Sequence, residues 1–165
     1  MTNVALQPRL RSLVAADRGR VEAITRATGV FRGEEVAVAL EVFDASCRPG
    51  QTDYHTLGAE VGGRLAGWIC WGETPCTEGT WDLYWVAVDP TVQGSGVGSA
   101  LTEAMESQLR AGGRARLVVI DTSGRPDYAP TRAFYQARGY AIAGVVPDFY
   151  APGDDQVIFA KGLTR

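Results

Sequence analysis

Apolar and polar positions along the chain alternate between two spacings. In the first quarter the spacing is helical. Val21, Ile24 and Thr28 recur every three or four residues, with Asp17 placed as an N-cap and Gly29 as a stop. Val36, Leu40 and Phe43 repeat the pattern over residues 34–43. Two short helices therefore flank the link Thr28-Gly29-Val30-Phe31-Arg32-Gly33. Before them, residues 6–14 mix apolar and polar positions in short alternation and predict a first strand.

Beyond residue 50 the pattern changes. Residues 52–61 and 65–71 predict two strands joined at the hairpin signal Gly62-Gly63. Residues 81–88 are almost all apolar or aromatic, which predicts a strand buried on both faces. Helical spacing returns over 97–109, where Val97, Leu101, Ala104, Met105 and Leu109 share a face and Gly112-Gly113 ends the run. Residues 115–120 form a continuous apolar strand, and residues 123–129 a loop. Pro130 suits the first turn of a last helix that stops at Gly139. Strands over 140–146 and 157–160 follow, separated by a loop over 147–156. With no repeat, linker or low-complexity tract, residues 1–165 predict a single α/β domain with a mixed sheet.

Composition narrows the function. Net charge is −3, which argues against electrostatic capture of nucleic acid. The three cysteines, Cys47, Cys70 and Cys76, lack metal-ligand spacing and read as reduced thiols. No metal is expected. Neither a signal peptide nor an apolar run of the ~20 residues needed to cross a membrane is evident, so a soluble, cytoplasmic protein is expected.

The densest chemical signal is Gln93-Gly94-Ser95-Gly96-Val97-Gly98-Ser99, between the strand at 81–88 and the helix at 97–109. Three glycines in five residues let the backbone approach a ligand closely. Their N–H groups, at a helix N-terminus, make an anion site suited to a diphosphate. Gly-Lys-Ser/Thr is missing, which excludes a Walker-type site. A dinucleotide remains a competitor, because Gly94-x-Gly96-x-x-Ser99 approximates the Rossmann fingerprint and Asp121 follows about 20 residues on. Against it, the third glycine is absent and only one further β-α unit follows.

Two further features shift the balance. Gln93-x-x-Gly96-x-Gly98 follows a strand ending in alternating Val residues, and Phe134-Tyr135-Gln136-Ala137-Arg138-Gly139-Tyr140 lies one helix later. Together with the element order, these segments resemble the GCN5-related N-acetyltransferase (GNAT) superfamily across nearly the whole chain. The resemblance implies an acyl-CoA N-acyltransferase fold: a mixed, mostly antiparallel sheet of six to seven strands, about four helices and a central splayed strand pair. It implies an N-acetyltransferase using acetyl-CoA as donor and a primary amine of a small molecule or peptide as acceptor, without nucleic acid or membrane. An acyl-CoA sensor without catalysis is the alternative. Strand edges near the C-terminus are compatible with a homodimer.

The same resemblance distributes roles. Val86, Ala87 and Val88 pair with the pantetheine arm as a strand would. Residues Gln93, Gly94, Ser95, Gly96, Val97, Gly98 and Ser99 hold the pyrophosphate, with Thr131 and Phe134 beside them. Thr131 stands where the family commonly has Asn. Tyr135 is the expected general acid and Asp82 the expected base, with Glu34, Glu73 and Glu78 as lesser candidates. Phe31, Tyr84 and Tyr150 are expected to contact the acceptor, with Asp154-Asp155 nearby. His55, the only histidine, and the tryptophans Trp68, Trp71, Trp81 and Trp85 read as structural.

Overall fold

The computed structural model describes residues 7–163. Seven strands form one sheet in the order β1-β2-β3-β4-β5-β7-β6. The strands are β1 Arg9–Arg11, β2 His55–Val61, β3 Arg64–Glu73, β4 Thr80–Val88, β5 Leu117–Ser123, β6 Ala141–Ala151 and β7 Asp154–Gly162. Four α-helices accompany the sheet among the described residues: α1 Arg18–Ala27, α2 Gly33–Ser46, α3 Val97–Gly112 and α4 Ala129–Ala137. All neighbouring strands run antiparallel except β4 and β5. The expected α/β sheet with four helices and seven mixed strands is therefore present.

Each sheet face has its own core. One packs Ile69, Leu83, Val118, Ile120 and Phe159 against α3 through Val97, Leu101, Met105 and Leu109. The other packs Leu65, Trp68 and Ala87 against Val21 and Ile24 of α1 and Val36, Leu40 and Phe43 of α2. Trp68 is fully buried edge-on to Phe43, and its indole N–H donates to Thr25 Oγ1 at 3.0 Å. A buried tryptophan with its one donor satisfied is a stabilising anchor; truncating such a residue costs ~3–5 kcal/mol.

The feature that shapes function is the β4–β5 pair. The two strands touch only where Thr80, Trp81 and Asp82 meet Leu117, Val118 and Val119. From Leu83 onward β4 keeps its β3 partner and has no neighbour on the other edge. A bulge accompanies the divergence: Cys70 faces Trp85 and Trp71 faces Leu83, leaving Tyr84 unopposed. Such an extra residue bends its strand and re-aims a side chain. Gly72 makes room, since a Cβ there would stand 2.8 Å from the Tyr84 ring and 2.2 Å from Asp53 O.

Several sequence expectations are corrected. β4 is not buried on both faces: only Leu83 and Ala87 are buried, and the strand from Leu83 to Val88 lines the gap beside β5. The predicted loop at 147–156 is instead a hairpin, with β6 and β7 continuing to a tight turn at Pro152-Gly153. β1 is shorter than predicted, and Leu6 lies outside the described residues. Asp17 does not cap α1 through its side chain; it accepts from the Val14 N–H at 2.9 Å and from Arg11 at 2.8 Å. Residues 126–128 form a 3-10 turn. No helix among the described residues is long and apolar enough to cross a membrane.

Candidate active site

The splay between β4 and β5 opens a cleft of about 890 Å³. Its two ends are built differently.

At one end lies the glycine loop. Gly94 and Gly96 have φ of 79° and 87°, the left-handed region that side chains with a Cβ avoid. Gly96 is the N-cap of α3 and offers no side chain to its first turn. The leading N–H groups of the helix have no intrahelical acceptors, and Gly96, Val97, Gly98 and Ser99 all line the cleft. Gly98 serves packing: a Cβ there would stand 3.1 Å from the Phe134 ring. Gly67 on β3 does the same for the start of α3, where a Cβ would meet Val97 Cγ1 at 2.8 Å.

Asp89 fixes the loop's entry. Its carboxylate accepts from the Thr91 hydroxyl at 2.7 Å, from the Thr91 N–H at 2.9 Å, and from Arg20 of α1. The Thr91 donors, followed by Arg20, hold its pKa down to about 2. The loop is thereby tied to the opposite face of the sheet.

Arg138, at the end of α4, completes this end. Its guanidinium lies 3.4 Å from the Phe134 ring centroid and donates to Phe134 O at 2.9 Å and to Ser99 Oγ. Its Nε is buried and has no partner among the described residues. An unspent cationic donor beside open helix N–H groups fits a diphosphate. Sequence reasoning passed over this arginine, although it lies inside the 134–140 segment; its stack on Phe134 is an i, i+4 contact that spacing could have suggested, whereas its bond to Ser99 is tertiary.

Most expected donor-site residues meet here. Val86, Ala87, Val88, Gln93, Gly94, Gly96, Val97, Gly98, Ser99, Thr131 and Phe134 all line the cleft. Ser95 does not, because its hydroxyl turns back to Val92 O. Gln93 reaches Val88 O with its amide at 3.5 Å.

Tyr135 lies midway. It is buried among Phe134, Tyr140 and Phe159, with ring centroids 5.4, 5.9 and 5.9 Å away, yet it borders the cleft. Burial pushes its phenol pKa up, so the hydroxyl keeps its proton. Tyr140 has a different task. Its hydroxyl donates to buried Glu106 at 2.9 Å, which also binds Lys161 at 2.8 Å and so links α3 to β7.

The other end is aromatic and acidic. Phe31 and Trp85 meet edge-on at 5.2 Å, and Tyr84, Tyr128 and Tyr150 stand nearby. Phe31, Tyr84 and Tyr150 thus line the cleft, as do Glu35, Asp121, Asp127 and Asp154. Glu34, Glu73 and Glu78 do not. Burial raises the Asp121 pKa, the charge of Asp82 raises it further, and Gln156 opposes both. Asp82 does not border the cleft; it sits where β4 and β5 still pair and accepts from Thr74 Oγ1 at 2.7 Å. Two residues of strand rise separate the register position of Asp82, opposite Val119, from Asp121. His55 stacks on Trp71 at 5.7 Å and meets a tilted Trp81 ring at 5.6 Å, a packing role.

This geometry has counterparts among known proteins. A GNAT-family protein from Desulfovibrio desulfuricans is 39% identical, with 96% of this chain and 100% of that one covered and a TM-score of 0.90. A protein from Salmonella typhimurium, solved with its cofactor acetyl-CoA, shares the fold at 19% identity, with 96% and 95% covered and a TM-score of 0.75. The L-2,4-diaminobutyric acid acetyltransferase of Nocardia farcinica is 32% identical over 110 residues, which is 60% of this chain. The chain spans about half the length of that curated relative, 55%. The acetyltransferase (GNAT) family model matches residues 23–140, and the chain belongs to that family.

Proposed function

We propose that this protein is an N-acetyltransferase that moves the acetyl group of acetyl-CoA directly to a primary amine. The observation that carries the reading is the cleft itself: an anion site of helix N–H groups at one end, an unpaired β4 edge along the middle, and an acidic aromatic end beyond. Neither an acyl-CoA sensor nor a dinucleotide site calls for a buried phenol and an accessible carboxylate in one cleft.

Acetyl-CoA supplies the acyl group as an activated thioester. The glycine loop and Arg138 hold the pyrophosphate. The backbone groups of Val86, Ala87 and Val88 on the open edge orient the pantetheine arm, with Thr131 and Phe134 against it. An N–H of that edge is suited to polarise the thioester carbonyl. Tyr135 gives its proton to the departing sulfur; its raised pKa keeps it in the acid form throughout the working range. Asp121 takes the proton lost by the amine, and a pKa above the usual carboxylate range improves its match to that task. Asp82 acts behind it through its charge.

The test is a CoA-release assay with acetyl-CoA and a panel of amines. Turnover with at least one amine is expected, together with thermal stabilisation by acetyl-CoA and none by NAD. Binding of acetyl-CoA without turnover on any amine would favour the sensor.

A further inference from the structure

The reading above leaves the acceptor as any primary amine. We infer that the acceptor is a small diamine, whose second ammonium group is held by Glu35 with the hydroxyls of Tyr128 and Tyr150 while the reacting amine lies at Asp121. This rests on the acetyltransferase reading and goes one step past it.

The argument begins with charge. Two cations reach the acceptor end, Arg32 and Arg125. Both are already paired: Arg125 with Asp127 at 3.1 Å, and Arg32 with Asp154 at 3.2 Å. Two carboxylates remain, Glu35 and Asp121, and neither has a cationic partner among the described residues. Glu35 accepts only the backbone N–H of Arg32, at 2.6 Å. Two unpaired carboxylates in one aromatic cleft make its field negative, which complements a ligand carrying two positive charges.

A second observation is independent of charge. Tyr128 is 7% exposed, borders the cleft, and its hydroxyl makes no hydrogen bond among the described residues. The ring is buried while the hydroxyl stays open at the cleft wall, where it is free to accept from a ligand ammonium. Glu35 and Tyr150 both act on its phenol, and Asp121, Asp154 and Glu35 act on that of Tyr150. Tyr150 lines the same cleft as both free carboxylates. The rings of Phe31 and Trp85 supply an apolar wall for an alkyl spacer.

Two further features limit the ligand. The 28–33 link lines the cleft and is strapped to the residues facing it by Arg32 to Asp154 and by Arg125 to Val30 O at 2.9 Å. The strap disfavours an extended peptide. Because both arginines are paired, no unpaired cation among the described residues lines the acceptor end, which favours a plain diamine over a diamino acid.

The full-length protein with acetyl-CoA would be assayed for CoA release on 1,4-diaminobutane, butylamine, 2,4-diaminobutyric acid and a short peptide. The expected kcat/KM for the diamine exceeds that for butylamine by about tenfold or more. Glu35→Gln keeps a capping side chain at the start of α2 and is expected to cut that preference about tenfold. Calorimetry of 1,4-diaminobutane with the protein–CoA complex gives a second readout, in which Glu35→Gln weakens binding by a similar factor. Turnover of butylamine or peptide equal to that of the diamine overturns the inference and leaves the acetyltransferase reading intact. Absence of CoA release with every amine removes both.

Discussion

The two ends of the cleft recognise their ligands by different means. The donor end works through backbone: left-handed glycines, helix N–H groups and an unpaired strand edge. The acceptor end works through side chains brought from four separate segments, with Phe31 and Glu35 from the first quarter of the chain, Tyr84 from its middle, and Asp121 and Tyr150 from its last third. Backbone recognition needs a particular run of residue types at fixed spacing. Side-chain recognition needs only that the fold bring suitable groups together. One fold can therefore keep a donor and change acceptors by altering loops and single side chains.

The chemistry sits where the two ends meet, and variants there have the largest expected effects. Tyr135→Phe removes the acid and leaves the ring packing with Phe134, Tyr140 and Phe159 in place. It is expected to lower kcat by about 10² to 10³ while the acetyl-CoA dissociation constant stays within ~3-fold. Asp121→Asn is expected to lower kcat by a similar factor of about 10² and to abolish the acid limb of the pH–rate profile. In the wild-type protein that limb rises with pH, with its midpoint above the ordinary carboxylate range, because Asp121 must lose its proton to act. Loss of acetyl-CoA binding in Tyr135→Phe would assign that residue to the donor end alone.

The next effect falls on stability. Asp89 anchors the loop through Thr91 and Arg20, and Asp89→Asn loses the charged half of those contacts. A destabilisation of about 1–2 kcal/mol is expected in denaturant unfolding. The sign with pH follows from its depressed pKa. The stabilisation is complete above the ordinary aspartate pKa and disappears as pH falls through about 2. The variant should therefore flatten the acid side of the stability profile.

A smaller effect tests the donor end by itself. Gly96→Ala places a Cβ at φ 87°, with open space around it, so strain and not a clash is the penalty. A strain of ~1–2 kcal/mol corresponds to roughly tenfold weaker binding of CoA if the loop relaxes to escape it. Turnover at saturating acetyl-CoA should change little. An unchanged dissociation constant would mean that the loop does not need its left-handed cap.

How much of this was legible in the sequence follows the same division. The periodicity of Val97, Leu101, Met105 and Leu109 revealed α3, and the glycines marked its open N-terminus. The β4–β5 pair was expected from the family resemblance, and the bulge at Tyr84 accounts for how β4 turns aside. The apolar strand β4 was misread as doubly buried, since a strand that borders a ligand cleft has the same composition as one inside a core. The 147–156 segment was misread as a loop because Pro147, Asp148 and Pro152 look like breakers. In the fold Asp148 takes φ 54° and accepts from the Gly153 N–H at 2.7 Å, so the hairpin absorbs them. Glu35, Tyr128 and Arg138 carry no motif that marks a ligand; only tertiary contact gathers them around the cleft.

Asp82 and Asp121 give the finest comparison between the two readings of the base. The family resemblance singled out Asp82. The fold leaves it outside the cleft, bonded to Thr74, with Asp121 at the cleft wall on the next strand. Asp82→Asn removes a negative charge that helps hold the Asp121 pKa up. The Asp121 pKa should fall, and the acid limb of the pH–rate profile should move to lower pH. On the plateau above that limb, where the base is ionised in both proteins, the rate falls only by a factor of about 2 to 5 as its basicity declines. A hundredfold loss in Asp82→Asn with the limb abolished would return the base role to Asp82, and would require that residue to reach the amine through water. A shifted limb with a small loss makes Asp82 a tuning charge, one residue pair behind the chemistry.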